Sequence, residues 1–172
     1  YTKRLFQRDF RSRHALLATR NGTCGQRVGG QRYVLMLPTP FDGLDLSASC
    51  RIRPGTYLVV AVNGVADLYA GPEKLNAQID RSWSDVVGWS LTVDGQSLDG
   101  HVLKTPFLHA RLPYYNAQVI GLPKTTVSYV AKDVLAILTP LSRGHHTLVT
   151  SMTFDHPGGV HTDTMTLHLN VR

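Results

Sequence analysis

Alternation of apolar and polar residues is clearest between 164 and 171. The apolar residues there take every second position: Met165, Leu167, Leu169 and Val171. A period of two over this length is typical of a strand with one buried face. Residues 145–154 alternate in the same way, and 134–138 form a short apolar run that suits a strand buried on both faces. Turn residues separate the three segments, so the pattern predicts an antiparallel meander over 134–171 with those four side chains in the core.

Further short runs of apolar and β-branched residues predict the other strands of the same fold. They occupy 31–37, 48–52, 56–62, 88–93, 97–103, 105–112 and 125–130. Turn pairs such as Asn63-Gly64 and Asp94-Gly95 separate them. About nine or ten short strands with regularly spaced turns are typical of a sandwich of two sheets. We therefore predict an all-β fold, an antiparallel β-sandwich of the jelly-roll or Ig-like kind.

One short helix is predicted after the strand at 56–62. Pro72 suits the first helical position and Glu73 the first turn, and apolar residues then recur at spacings of four: Leu75, Ile79 and Trp83. The pattern fades between 84 and 87, where we expect the helix to end.

Residues 1–20 follow neither a strand period nor a helix period. Their apolar residues are scattered among arginines: Leu5, Phe6, Phe10, Leu16 and Leu17. We predict an extended N-terminal arm over 1–20 that lies on another surface, followed by a single β-sandwich domain over 21–172. A chain of 172 residues suits one such domain.

Charge is concentrated at the start of the chain. Residues 1–32 contain eight Lys or Arg and one acidic residue, whereas the remainder contains ten basic and eleven acidic residues. This asymmetry allows an anionic partner for the arm, and it equally allows a solvated arm or one packed on an acidic neighbour. No apolar run approaches the ~18 residues of a membrane span.

The two cysteines, Cys24 and Cys50, leave two interpretations open. An even count fits one disulfide closing a loop of about 26 residues, worth ~3 kcal/mol in the chain-entropy model, and two buried free thiols are the alternative. Zinc is not expected, because two thiolates at this spacing lack partners. Asn21 begins an Asn-Gly-Thr sequon and is a candidate glycosylation site, in agreement with an oxidising, secretory compartment.

Catalytic signatures are absent from the sequence. It has no GxSxG, no HExxH and no glycine-rich phosphate loop, and Glu73 is its only glutamate. Four aspartates lie in or beside turns, where we expect them to cap the backbone: Asp42, Asp45, Asp94 and Asp99. We therefore predict no enzymatic activity and no cofactor.

Eight histidines raise the question of a metal site. His146, His161 and His168 would form one if their strands aligned. Adjacent histidines such as His145 and His146 point to opposite faces of a strand, so surface or strand-end positions are the favoured interpretation and we predict no metal. Among the aromatic residues, Tyr114 and Tyr115 lie in a predicted loop and are the candidate ligand contacts, for example to a glycan.

Several segments together resemble an uncharacterised family of bacterial secreted proteins. They are Cys24-Gly25-Gln26, Cys50-Arg-Ile-Arg-Pro-Gly55, Val93-Asp-Gly95, Thr105-Pro-Phe107, Thr139-Pro-Leu-Ser-Arg-Gly-His-His-Thr147 and Asp163-Thr-Met-Thr-Leu-His-Leu169. The match spans roughly 24–171, and its motifs are turns, cysteines and strand ends. The chain departs from the family's pattern at Arg143, where the family has a proline, and at 132–135, where it has Asp-Gly-Tyr-Trp. The resemblance implies secretion, a disulfide and a β-sandwich, and it carries no catalytic residue.

Three kinds of function are consistent with these observations. We favour an extracellular structural subunit that self-associates through its N-terminal arm into a filament or surface layer, because a β-sandwich has edges to pair and the arm needs a surface. The alternatives are a carbohydrate-binding or adhesive module that uses Tyr114 and Tyr115, and a capsid-like jelly roll with a nucleic-acid-binding arm. The predicted disulfide and the resemblance to secreted proteins disfavour nucleic acid as the partner.

Overall fold

A computed structural model describes the chain over residues 26–27, 33–37, 46–68, 70–111 and 126–172. Within these residues the protein consists of eleven strands and one helix. The strands are β1 (Gln26–Arg27), β2 (Val34–Met36), β3 (Leu46–Ile52), β4 (Tyr57–Leu68), β5 (Val86–Val93), β6 (Gln96–Ser97), β7 (His101–Lys104), β8 (Leu108–Arg111), β9 (Thr126–Leu138), β10 (Gly144–His156) and β11 (Gly159–Val171). The helix is α1 (Pro72–Ser84).

The strands form two sheets that pack face to face. One has six strands in the order β1-β2-β4-β9-β7, with β8 pairing β9 beside β7, and the other has five in the order β3-β11-β10-β5-β6. This confirms the predicted all-β sandwich. Most pairs are antiparallel, but β2 runs parallel to β4 and β3 runs parallel to β11.

The sandwich core follows the predicted alternation of the closing strand. Met165, Leu167, Leu169 and Val171 are all buried, and they contact buried residues of both sheets. The facing residues come from alternate positions of β3, β4, β5, β9 and β10: Ala48, Cys50, Ile52, Leu58, Val60, Val62, Leu91, Val134, Ala136, Leu138, Leu148, Met152 and Phe154. The prediction for these faces is confirmed.

The predicted meander over 134–171 is wrong in its connectivity. β10 and β11 are a continuous antiparallel hairpin, but 134–138 is the end of β9, which pairs with β4 and β7 in the opposite sheet. The strands predicted at 88–93 and 97–103 are likewise divided between the sheets, since only the short β6 of the second segment pairs with β5, whereas β7 pairs with β9. The alternating pattern shows which face of a strand is buried, but it does not show which sheet the strand joins. The inner faces of both sheets pack against the same core and therefore have the same pattern.

The Asn63-Gly64 pair does not end its strand as predicted. β4 continues to Leu68, and the pairing with β9 shifts register between Ala61 and Gly64, which marks a β-bulge. The Asn63 side chain accepts a hydrogen bond from the Gly64 amide at 2.8 Å. A Cβ at Gly64 would overlap the Asp133 carboxylate and the Lys132 carbonyl, so this close approach of backbones requires glycine.

The predicted helix is confirmed from Pro72 to Ser84. Its apolar residues Leu75 and Ile79 are buried and contact Val130 of β9, while Trp83 packs against the sandwich core. Asp80 on the exposed side of the helix bonds Lys104 at 2.8 Å. The helix therefore covers part of the inner surface of the six-stranded sheet.

Several predicted features lie outside the described residues. They are the arm over 1–20 with its residues Leu5, Phe6, Phe10, Leu16 and Leu17, the cysteine Cys24, the sequon at Asn21, and the tyrosines Tyr114 and Tyr115. Among the residues that the structure describes, no helix is long and apolar enough to cross a membrane.

Candidate functional site

The turn between β5 and β6 places an aspartate beside the start of β10. Asp94 and Gly95 both have positive φ angles, 52° and 79°, as a type I′ hairpin turn requires. The Asp94 amide donates a hydrogen bond to the Thr147 carbonyl at 2.8 Å, and the Asp94 Oδ1 accepts one from the Thr147 amide at 2.8 Å. The expectation that Asp94 caps the backbone is thus confirmed.

The second carboxylate oxygen of Asp94 contacts a histidine that has partners on both ring nitrogens. His146 Nδ1 lies 2.7 Å from Asp94 Oδ2, and His146 Nε2 lies 3.0 Å from the carbonyl oxygen of Ser142. The Ser142 hydroxyl is farther from Nε2, at 3.4 Å. We call Asp94, Ser142 and His146 the clamp. It joins the β5–β6 turn and the 139–143 connection to β10.

Hydrogen bonding in the clamp shifts two ionisations in opposite directions. The hydrogen bond to Asp94 raises the pKa of His146, and the Ser142 carbonyl adds to this effect. The hydrogen bond from His146 lowers the pKa of Asp94, with a further contribution from the Thr147 amide. Because carboxylate and carbonyl oxygens only accept, both ring nitrogens must donate, and the geometry favours the imidazolium form.

The clamp has the composition of a Ser-His-Asp triad but not its chemistry. In a triad, the Nε2 nitrogen must be free to take the serine proton. Here that nitrogen bonds the Ser142 carbonyl, and the Ser142 hydroxyl is beyond the ~2.6–3.2 Å of a productive hydrogen bond. The arrangement therefore supports a structural role for His146.

A second group of polar side chains lies at the other end of the β10–β11 hairpin. His156 Nδ1 is 3.1 Å from Asp85 Oδ2, and the His161 and His156 rings are 5.1 Å apart. His161 Nε2 is 3.9 Å from Asp163 Oδ1, and the buried Asp163 accepts a hydrogen bond from Asn63 Nδ2 at 2.8 Å. Among the described residues, no group of three or more His, Cys, Asp or Glu side chains could hold a metal ion.

The structure does not bring the three histidines of the considered metal site together. His146 is at the start of β10, His161 is near the opposite end of the hairpin, and His168 is exposed. His146 and His168 are offset by one position in the register, so they lie on opposite faces of the sheet. That alternative is wrong for these residues.

The outer face of the six-stranded sheet has an apolar cluster of its own. Val59 and Ala61 are buried there, with Val34 and Leu135 packed against them. Ile137, the register partner of Val59, is 73% exposed, and Tyr57 on the same face is 46% exposed. We call these six residues the outer apolar face. The prediction that 134–138 is buried on both faces is wrong at Ile137.

The sequence indicates the two turns that form the clamp, but it does not indicate that they contact each other. Val93-Asp-Gly95 and the turn before His146 were each identified as separate turns, and nothing in their spacing shows that they meet. The sequence does not identify the outer apolar face, because an exposed apolar residue cannot be distinguished from a buried one by its residue type.

Comparisons with known proteins do not assign this chain to a family. No protein-family model matches it, and no curated protein matches it. A solved structure described as "Solution Structure of Amebosin" is 18% identical, with an alignment over 76% of this chain and 100% of that chain and a TM-score of 0.26. The resemblance to bacterial secreted proteins stays a prediction.

Proposed function

We propose that this protein is an extracellular structural subunit that self-associates, with the arm over 1–20 of one copy lying on the outer apolar face of a neighbouring copy. The observation that carries the proposal is the outer apolar face itself, with Ile137 and Tyr57 exposed at its border. Val59 and Ala61 are buried within the chain itself, so Ile137 and Tyr57 are the apolar side chains of this face that a partner would cover.

Burial of this face provides a driving force for association. Ile137 leaves 73% of its surface in contact with solvent, although it lies in strand β9 and not in a loop. Each Å² of such surface that a partner covers contributes about 25 cal/mol. The arm contains apolar residues that can pack on such a face, among them Phe6, Phe10 and Leu16. They are spaced irregularly along the chain, which suits an irregular contact.

The strand that follows the arm in the sequence belongs to the same sheet. β1 begins at Gln26 and lies at the edge of the six-stranded sheet, next to β2 and β4. The arm precedes β1 in the sequence, and the edge position of β1 supports donation of the arm to a neighbouring copy. The basic excess of residues 1–32 and the slight acidic excess of the remainder favour contact between copies.

Extracellular location is part of the proposal and depends on Cys24 and Cys50. Cys50 is buried in β3 beside Leu169 of β11. We propose that it forms a disulfide with Cys24, which would suit an oxidising compartment. Mass spectrometry without reduction, on protein from its native source, should find the Cys24 and Cys50 peptides linked; two free thiols would contradict this.

Replacement of one exposed residue tests the association surface. Ile137→Asp places a charge on the outer apolar face, and we expect it to abolish self-association in sedimentation velocity without lowering the melting temperature. Val160→Asp is the matched control, because Val160 is 67% exposed on the β10–β11 hairpin, away from that face. It should associate like the unmodified protein.

Deletion of 1–20 tests the arm separately. We expect the truncated protein to stay folded by circular dichroism and to be monomeric. The proposal is wrong if the unmodified protein is monomeric at high concentration, or if Ile137→Asp and Val160→Asp associate equally.

A further inference from the structure

The clamp joins the β5–β6 turn to the segment 142–146, which leads from the connection between the sheets into β10. Asp94 belongs to the β5–β6 turn, Ser142 to the connection between the two sheets, and His146 to the first residues of β10. The His146 side chain is only 12% exposed, so the protein supplies most of its hydrogen-bond partners. The ring is the only group of the clamp that contacts both of the other two residues.

Both contacts of the ring need a proton on the nitrogen that makes them. A neutral imidazole has one N–H, so it can donate to Asp94 or to Ser142 but not to both. Loss of the second proton leaves a lone pair facing an acceptor oxygen about 3 Å away, which is repulsive. We propose that the clamp is a pH-sensitive device, closed while His146 carries its second proton and opened when that proton is lost, which frees the 139–143 connection from β10.

Few charged groups face the His146 ring. The β5–β6 turn contributes Asp94 at 2.7 Å, and the connection contributes only the carbonyl and hydroxyl of Ser142. The register partner on β11 is the apolar Leu169, and the exposed neighbours His145 and Arg143 form no described hydrogen bond or ion pair with the ring. Within the described residues, Asp94 is therefore the one charge that bonds it.

The direction of the pH effect follows from the two ionisations. The pKa of His146 is raised above its ordinary 6.5, so its contribution to stability is complete below that pH and is lost as the pH rises through the raised value. The pKa of Asp94 is lowered below 3.8, so its contribution is lost only as the pH falls through the lowered value. The clamp is therefore closed in mildly acidic solution and opens on the alkaline side of 6.5.

Two measurements on the full chain test the proposal. The first follows the His146 ring signals by NMR as the pH is raised from about 5 to about 9, a range that spans ordinary histidine titration. We expect the His146 midpoint to lie above the ordinary histidine value of about 6.5, and to shift downward in Asp94→Asn.

The second measurement is the melting temperature over the same pH range, for the unmodified protein and two variants. His146→Gln should lose the part of the alkaline decrease that the clamp contributes, whereas His145→Gln, the matched control, should keep it. The proposal is overturned if the His146 midpoint lies at or below about 6.5, or if His146→Gln and His145→Gln show the same pH profile of the melting temperature. The ring titration decides the question even if His146→Gln fails to fold.

Discussion

The outer faces of the two sheets differ, although their inner faces contribute to one core. In the five-stranded sheet, the outward positions of β11 are polar: Thr164, Thr166, His168 and Asn170. In the six-stranded sheet, the outward positions of β4 and β9 carry Val59, Ala61, Leu135 and Ile137. A strand with one apolar face buries that face against the core. A strand that is apolar on both faces has a second apolar face, which only other residues or a partner can cover. Under the proposed function, the six-stranded sheet serves association as well as folding, whereas the five-stranded sheet serves folding alone.

Each sheet has a register shift among its described pairs, but at a different place: between Thr153 and Phe154 where β10 pairs with β5, and between Ala61 and Gly64 where β4 pairs with β9. A bulge increases the local twist and redirects a side chain. In β4 the redirected side chain is Asn63, which reaches across the sandwich to Asp163 of the other sheet.

The largest loss of stability is expected from a substitution in the core of the five-stranded sheet. Leu167→Ala removes a fully buried side chain and should lower the free energy of unfolding by about 2–5 kcal/mol in urea titration. Thr166→Ala, one position away on the outer face, should cost far less. Equal losses would show that the assigned faces of β11 are wrong.

A smaller loss is expected at the bulge of the six-stranded sheet. Gly64→Ala forces a Cβ against the Asp133 carboxylate and the Lys132 carbonyl, and it should cost about 1–3 kcal/mol in the same assay. Gly88→Ala in β5 is its control, because a Cβ there meets nothing within 4 Å. If the two alanine variants are equally stable, β4 and β9 do not approach as described.

The smallest loss is expected on the outer apolar face. Leu135 is partly buried there, so Leu135→Ala should lower the free energy of unfolding of the monomer by about 1 kcal/mol, well below the loss in Leu167→Ala. A loss as large as that of Leu167→Ala would place Leu135 in a second core, and the contrast between the two sheets would disappear.

Features that depend on neighbouring residues could be predicted from the sequence. The buried face of β11 follows from the period of two, and α1 follows from Pro72 and the spacing of Leu75, Ile79 and Trp83. The Asp94-Gly95 turn follows from the ability of these residues to adopt positive φ. Each depends on local backbone preference or on one periodic pattern.

Features that depend on pairing between distant segments could not be predicted. Lys132 and Asp133 interrupt the apolar pattern of β9, yet the strand continues because Lys132 bonds Asp80 at 3.4 Å and lies 5.2 Å from the centre of the Trp83 ring. These contacts are made by residues of α1, so the sequence of β9 alone does not indicate them. Asp94, which bonds His146 Nδ1, lies 52 positions away in the sequence, so no local pattern indicates this contact.

The parallel pairing of β3 with β11 has a consequence for the order of folding. Met165 to Val171 of β11 align with Leu46 to Ile52 of β3, which precedes it by most of the described chain. A growing chain thus exposes β3 without this partner until synthesis reaches β11, and closure of a contact between such distant segments is intrinsically slow. An unpaired strand edge in that interval invites pairing with other chains. We therefore expect the addition of β11 to limit the rate of refolding.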